Sequence, residues 1–295
     1  MAEKKFGRNY SLDIQTQDGS TLTIAPPFTV EFDITRNILS SANVSSIRVY
    51  NLNANHRSQI RKNITDLGDL RLIQLKAGYG DNIPIVFSGN ITQAWSVREG
   101  TNFISQIESF DGGFAFINSI TDVSFPANTA QQTVIETLVQ NLSAAGVQMG
   151  AIGTFDGSLS RGNAYSGNTT DLLRQLTSGR FFIDNGKAYA LSDNECLSGP
   201  LTLINTASGL LGTPVREQSI INFDMLFEPR LKLAQRVELQ SGNAEETIRQ
   251  NFNGIYKVVS IKHRGMISES VGGDAITSVG LLQPLGSQTL TVVGE

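Results

Sequence analysis

The chain has 295 residues, enough for about two domains. Its net charge of −4, with only 17% charged residues, argues against a free-standing nucleic-acid-binding protein. A single cysteine, Cys196, excludes an internal disulfide and a cysteine zinc site, and no apolar run approaches the ~20 residues of a membrane-spanning helix. The opening MAEKKFGRNY has basic residues with no apolar stretch behind them, so no signal peptide and synthesis in a cytoplasm are expected.

Residues 9–16 and 21–24 read as two strands turning at Gln17-Asp18-Gly19-Ser20, since an Asp-Gly step between β-rich segments favours a hairpin. In FTVEFDITR, Phe28, Val30, Phe32 and Ile34 alternate with Thr29, Glu31, Asp33 and Thr35, the period of a strand with one buried and one wet face. SIRVYNL continues the alternation with Ile47 and Val49. A short helix is expected over 53–64, capped by Asn53 or Asn55, with Ile60 and Ile64 one turn apart. Strands follow at 70–79, 84–97 and 101–110, with Trp95 and Phe103 expected in the core.

The middle of the chain changes character. Residues 125–146 give the strongest helical pattern, with Asn128 or Thr129 as cap, Val134, Leu138 and Leu142 as apolar line and Gly146 as stop. A second helix, 168–179, is capped by Asn168 or Thr169. Residues 180–191 read as a hairpin turning at Asp184-Asn185-Gly186. The Gly- and Ser-rich stretch 147–167 reads as a long loop, and 193–219 as a connector with one strand at 201–205. Residues 101–200 carry four bases against nine acids, so this third is a distinct acidic module.

Toward the C-terminus, IINFDMLFEPRLKLAQRVELQ reads as a strand, a turn at Glu228-Pro229 and a second strand. After a polar gap, IYKVVSIKHRG pairs with ITSVGLL across Gly272-Gly273. The tail GSQTLTVVGE, with Leu290, Val292 and Val293, is expected to add a strand that pairs with another chain. The two β regions share a plan suggestive of an internal duplication, although their residues do not align by eye.

Chemistry is poorly supplied. The two histidines, His56 and His263, lie in different regions, so a His-based metal site or a Ser-His-Asp triad is not expected. Gly150-x-x-Gly153 lacks the lysine and hydroxyl of a phosphate loop, and Asp66-Leu67-Gly68-Asp69 is too sparse for calcium. Glu108 and Asp111 would be the carboxylates of a peptidoglycan hydrolase, but strand-end and turn acids are the simpler reading. No metal and no cofactor is expected.

The wording of the C-terminal third resembles one family, the baseplate hub proteins of contractile-tailed bacteriophages. The residues that carry it are Phe227-Glu228-Pro229, Arg236-Val237-Glu238-Leu239, Tyr256-Lys257-Val258-Val259 and His263-Arg264-Gly265. The N-terminal segments 28–36, 44–53, 70–80 and 85–93 extend the resemblance over most of the chain. It implies a mainly β protein with a small α+β insert: two tail-tube-like β-barrel domains flanking a helix-helix-hairpin module. The boundaries would be 1–118, 119–200 and 201–295, with the 53–64 helix plugging one barrel end.

The implied role is structural, not enzymatic. A homotrimer would form a pseudo-sixfold ring that joins the hexameric tail tube to the trimeric central spike. DNA would pass through its channel without specific binding. Wedge and tape-measure proteins are further implied partners, the location is the virion, and no membrane is involved. Phe227, Pro229, Arg236, Lys257, His263 and Arg264 are the expected intersubunit or partner contacts, His263 through a surface position. The alternatives are a carbohydrate- or receptor-binding virion β protein, another tail or injection-device component, or the hydrolase above.

Overall fold

The computed structural model describes residues 5–38, 42–66, 68–241, 252–270, 272–283 and 289–294. Most of the expected polar gap before the C-terminal ribbon, and the start of the tail, lie outside them. The fold is mainly β, at 53% strand and 14% helix.

The first half forms β1 (Arg8–Gln15), β2 (Thr21–Ile24), β3 (Val30–Asn37), β4 (Val44–Tyr50), α1 (Ala54–Ile60), β5 (Leu72–Tyr79), β6 (Ile85–Glu99) and β7 (Asn102–Phe110). Every other residue of β3 is buried, as its alternation requires. Asn53 caps α1 by accepting from the His56 N–H at 2.8 Å. The helix is shorter than expected: Lys62 leaves it to exchange both backbone hydrogen bonds with Ala94, which leaves Ile64 outside, 63% exposed.

After α2 (Gly113–Asn118), which packs against it, the insert contains β8 (Ile120–Phe125), α3 (Gln131–Asn141), β9 (Gln148–Ile152), β10 (Asn163–Asn168), α4 (Thr169–Leu176), β11 (Phe181–Asp184) and β12 (Lys187–Ala190). The expected loop at 147–167 is thus partly strand. β9 pairs in parallel with β12, and β10 antiparallel with β8. The long helix is not capped by Asn128 or Thr129. Asn128 is left-handed at φ +67° and gives its N–H to Leu159, while the Thr129 hydroxyl donates to Pro126. The orphan N–H of Gln131 is taken by the Gly157 carbonyl instead.

Asn168 does cap α4, accepting from Thr170 and Asp171 N–H groups at 2.9 and 3.4 Å. Asn168→Ala is expected to cost about 1 kcal/mol, read as a shift in thermal midpoint. The hairpin turns through Asn185 and Gly186 at φ +50° and +75°, both left-handed, as a two-residue type I′ turn requires.

The last third forms β13 (Glu195–Ile204), β14 (Leu210–Glu217), β15 (Ile220–Leu226), β16 (Gln235–Leu239), β17 (Gly254–Ile267), β18 (Ala275–Leu282) and β19 (Thr291–Val293). The expected connector at 193–219 therefore holds two strands. The tail strand β19 pairs in parallel with β13 of its own chain, where a partner chain was expected.

Among the described residues, the fourteen strands outside the insert belong to one sheet, whose main path runs β14-β15-β18-β17-β3-β4-β7-β6-β5-β1-β2. One core lies within the first half and takes in Phe227, Ile267 and Ala275. A second fills the last third and takes in Ala151, Phe182 and Tyr189 from the insert. A third lies between the helices and strands of the insert.

The sheet path repeats itself. The order β3-β4-β7-β6-β5 recurs as β14-β15-β18-β17-β16, the last pair lying off the main path. Tyr50 faces Ile104 as Leu226 faces Ile276, and Val44 faces Phe110 as Ile220 faces Leu282. β6 skips Thr92 between its pairs with Ser109 and Glu108. β17 skips Val259 at the matching place, between its pairs with Leu281 and Gly280. Leu72 faces Asn90 as Arg236 faces Lys257. The suggested duplication is therefore present strand by strand, down to one shared bulge.

Candidate assembly surface

The strands of both repeats join where β17 pairs with β3, from Ser260–Asn37 to Ile267–Val30. Alternation sends one face of this continuous sheet into the cores and the other outward. Along one outward row lie Ile276, Arg264, Asp33, Ser46, Glu108 and Gln93, each on a successive strand. The next row holds Met266, Glu31, Arg48, Gln106 and Trp95.

These side chains are tied to one another. Arg48 Nε donates to Gln106 Oε1 at 2.7 Å, and Gln106 Nε2 donates to Glu108 Oε1 at 2.7 Å and to Ser46 Oγ at 2.7 Å. Lys262 pairs with Asp33 at 3.0 Å and Arg48 with Glu31 at 3.6 Å. Such exposed pairs contribute about 0–1 kcal/mol each. Their effect is to keep the centre of the face wet and mixed in charge. It also forms an open depression lined by Glu31, Asp33, Arg48, Arg264 and Asp274.

The six expected contact residues divide sharply. Arg264 is exposed in the centre of this face, and Arg236 is half-buried on β16. Phe227, Pro229, Lys257 and His263 are buried within the chain, so they form no surface. Phe227 packs edge-on against the His263 ring, with centroids 5.5 Å apart, and 5.7 Å from Phe32, at the junction of the repeats. His263 Nδ1 shares a hydrogen bond with the Thr277 hydroxyl at 2.9 Å, and the same hydroxyl accepts the Glu228 N–H at 2.9 Å. Burial, then the nearby Arg36 guanidinium, pushes the His263 pKa down to about 3, so the ring is neutral. Lys257 donates to the Ser192 carbonyl at 2.7 Å, and burial lowers its pKa to about 8.

Trp95 and Phe103 are not core residues. They are 39% and 37% exposed near the tip of the β6–β7 ribbon, and Arg57 stacks on Phe103 at 3.9 Å. Glu108 and Asp111 do not share a cleft. Glu108 belongs to the outward network, while Asp111 is buried and accepts the Gly186 N–H at 3.0 Å.

Asp111 belongs instead to a polar cluster that fastens the insert to the first repeat, and sequence reasoning missed it. Arg36 donates through Nε and Nη2 to the two carboxylate oxygens of Asp184 at 2.8 and 2.7 Å, and through Nη1 to the Val86 carbonyl at 3.2 Å. Asn43 donates to the Ile183 carbonyl at 2.9 Å, and Asn185 accepts the Ser88 N–H at 2.9 Å. Arg36 and Asn43 are buried to 2% and 0% exposure. The signal in the sequence was an arginine two residues beyond Ile34, in the same inward row of β3 as Phe32 and Ile34.

Among the described residues no group of three or more His, Cys, Asp or Glu side chains could hold a metal, and no helix is long and apolar enough to cross a membrane.

The fold has close counterparts at low identity. The 43 kDa tail protein of prophage MuSo2 from Shewanella oneidensis aligns with TM-score 0.59 and 8% identity, over 93% of this chain and 97% of that one. A tail protein from Neisseria meningitidis aligns with TM-score 0.59 and 10% identity, over 94% and 97%. An Escherichia coli type VI secretion component, described as structurally similar to the T4 tail proteins gp27 and gp5, aligns with TM-score 0.58 and 9% identity, over 95% and 78%. No curated protein matches at a significant level. In sequence, residues 11–264 match the family described as baseplate hub gp41. A match over that much of the chain, on a fold shared with phage tail proteins, makes this protein a member of the baseplate hub gp41 family, a structural component of the viral tail baseplate.

Proposed function

We propose that three copies of this chain form a ring of six similar β units that joins a sixfold tail tube to a threefold central spike. The repeated strand order carries the reading, because two equivalent units per chain convert three copies into a pseudo-sixfold face. In this reading residues 1–118 and 201–295 are the two tube-like barrel domains and 119–200 the module between them. The likeness to a protein itself compared with gp27 and gp5 supports a spike partner.

The wet outward face, centred on Asp33, Arg48 and Arg264, lines the channel. Its carboxylates alternate with its cations and tie up their charge, so no continuous basic track is offered to phosphates. DNA would slide past such a wall. Arg264, which faces the channel, and the half-buried Arg236 remain the candidates for partner contact. Wedge and tape-measure proteins would complete the assembly within the virion.

Electron microscopy of the purified protein with candidate tube and spike proteins tests this. A threefold ring with six lobes and a central opening is expected. Single compact particles in every mixture would refute the reading.

A further inference from the structure

β17 changes partner along its length. Gly254 to Lys257 pair with β16, and Ser260 to Ile267 pair with β3. Its counterpart β6 pairs with β5 only through Asn90, and beyond the bulge its outer edge meets, among the described residues, only Lys62 at Ala94. Ala94 exchanges both backbone bonds with Lys62. Residues two and four further on face the same way, so the N–H and C=O groups of Ser96 and Arg98 point to an edge with no strand on it.

The counterpart of β3 is β14, which lies at the other end of the repeated path with no described strand on its outer edge. Resting on the ring reading above, we infer that β6 of one copy pairs antiparallel with β14 of a second copy, as β17 pairs with β3 within the chain. The duplicated register fixes the partners. Arg264 faces Asp33 inside the chain, and the same positions in the two repeats are Val97 and Val215. Ser96 then faces Arg216, and Trp95 faces Glu217.

Side-chain exposure agrees with this register. Val97 and Val215 are 39% and 56% exposed, costly for aliphatic residues on a sheet face, and the pairing covers both at once. Backbone direction agrees as well. The Leu226 N–H donates to the Gly209 carbonyl on the β14 side, so Asn222 bonds to Val215 and Arg216 turns outward to meet Ser96. The contact is short: Lys62 occupies the edge before Trp95, and Pro214 has no N–H to donate after Val215. A weak, head-to-tail, heterologous contact follows, one that closes into a ring and not a two-fold dimer.

Val97 and Val215 would form a non-hydrogen-bonded pair, with Cα atoms about 4.5 Å apart, inside disulfide range. The double variant V97C/V215C is oxidised at high concentration, with buried Cys196 left in place. Non-reducing electrophoresis should show a ladder that ends at a covalent trimer, at least tenfold more abundant than for S96C/V215C, whose side chains leave opposite faces. Native mass measurement of the unmodified chain, alone and with tube and spike proteins, runs alongside. Trimers without the cross-link would overturn this pairing and leave the ring reading standing. Absence of both trimers and cross-link in every mixture would overturn both.

Discussion

Asp184→Asn should destabilise the chain by about 3–5 kcal/mol, the cost of leaving a buried charge without its partner. Arg36 is 2% exposed and gives Asp184 two parallel hydrogen bonds, at 2.8 and 2.7 Å. An asparagine can accept only one of them, and its amide would point N–H groups at a guanidinium that has no lone pair to offer. The loss falls at the joint between insert and first repeat, because Asp184 ends β11 and Arg36 lies on β3. Hydrogen exchange should therefore quicken first in the β11–β12 hairpin, ahead of β3 and β4. Arg36→Met together with Asp184→Leu should recover most of the loss, since paired hydrophobic replacements of a buried ion pair are often neutral. A denaturation midpoint unchanged by Asp184→Asn alone would mean that water reaches the pair and that the insert is held by other contacts.

The plan of the β regions was legible because strands of a half-buried sheet must alternate. FTVEFDITR, the ribbon 253–282 and the turn at Asn185-Gly186 all follow that rule or the demand for positive φ. The Asn53 and Asn168 caps were legible because an oxygen there meets free N–H groups. The cap at 128–130 was not, since a backbone carbonyl 27 residues downstream of Ala130 takes its role, and no local pattern encodes that. The first half of β13 and all of β14 were hidden by Gly199-Pro200 and Gly212-Thr213-Pro214, which mark bulges in strands here and not their ends. The duplication was invisible by identity because the repeats share burial phase and register. VSSIRVY and IINFDML occupy equivalent places with no residue in common.

The candidate site fared unevenly for the same reason. Arg264 is exposed, but Lys257 and His263 sit in strand positions whose side chains turn inward. Polar residues in the buried phase of a strand read as surface when composition is the guide. Position in the alternation is the better guide: His263 lies two residues from Ile261, in the same buried row. Trp95 and Phe103 show the reverse, large aromatic groups that the ribbon carries beyond the core.

Raising the pH from about 4 to about 8 should weaken the fold through one buried carboxyl group, Asp111. Burial, then the Asp184 carboxylate, pushes its pKa up from 3.8 to about 8, against the pull of Arg36 and of the Gly186 and Asn185 N–H groups. The single guanidinium there is already matched by Asp184, and His263 is held neutral, so a second negative charge finds no partner. In the folded chain Asp111 keeps its proton up to about pH 8, while in the unfolded chain it has lost it above about 4. Between those limits the folded state binds one more proton, so stability falls as pH rises, by at most about 1.4 kcal/mol per pH unit. Asp111→Asn retains the oxygen that accepts the Gly186 N–H and has no proton to lose. Its thermal midpoint should match or fall slightly below that of the unmodified chain at pH 4, and exceed it by a widening margin toward pH 8. Comparing the two chains at each pH cancels the titration of every other carboxylate. A constant difference between them from pH 4 to pH 9 would show that Asp111 is ionised in the fold. The cluster would then hold two carboxylates on one arginine, and Asp184→Asn would cost far less than predicted, because Asp111 would already stand ready as the counter-ion.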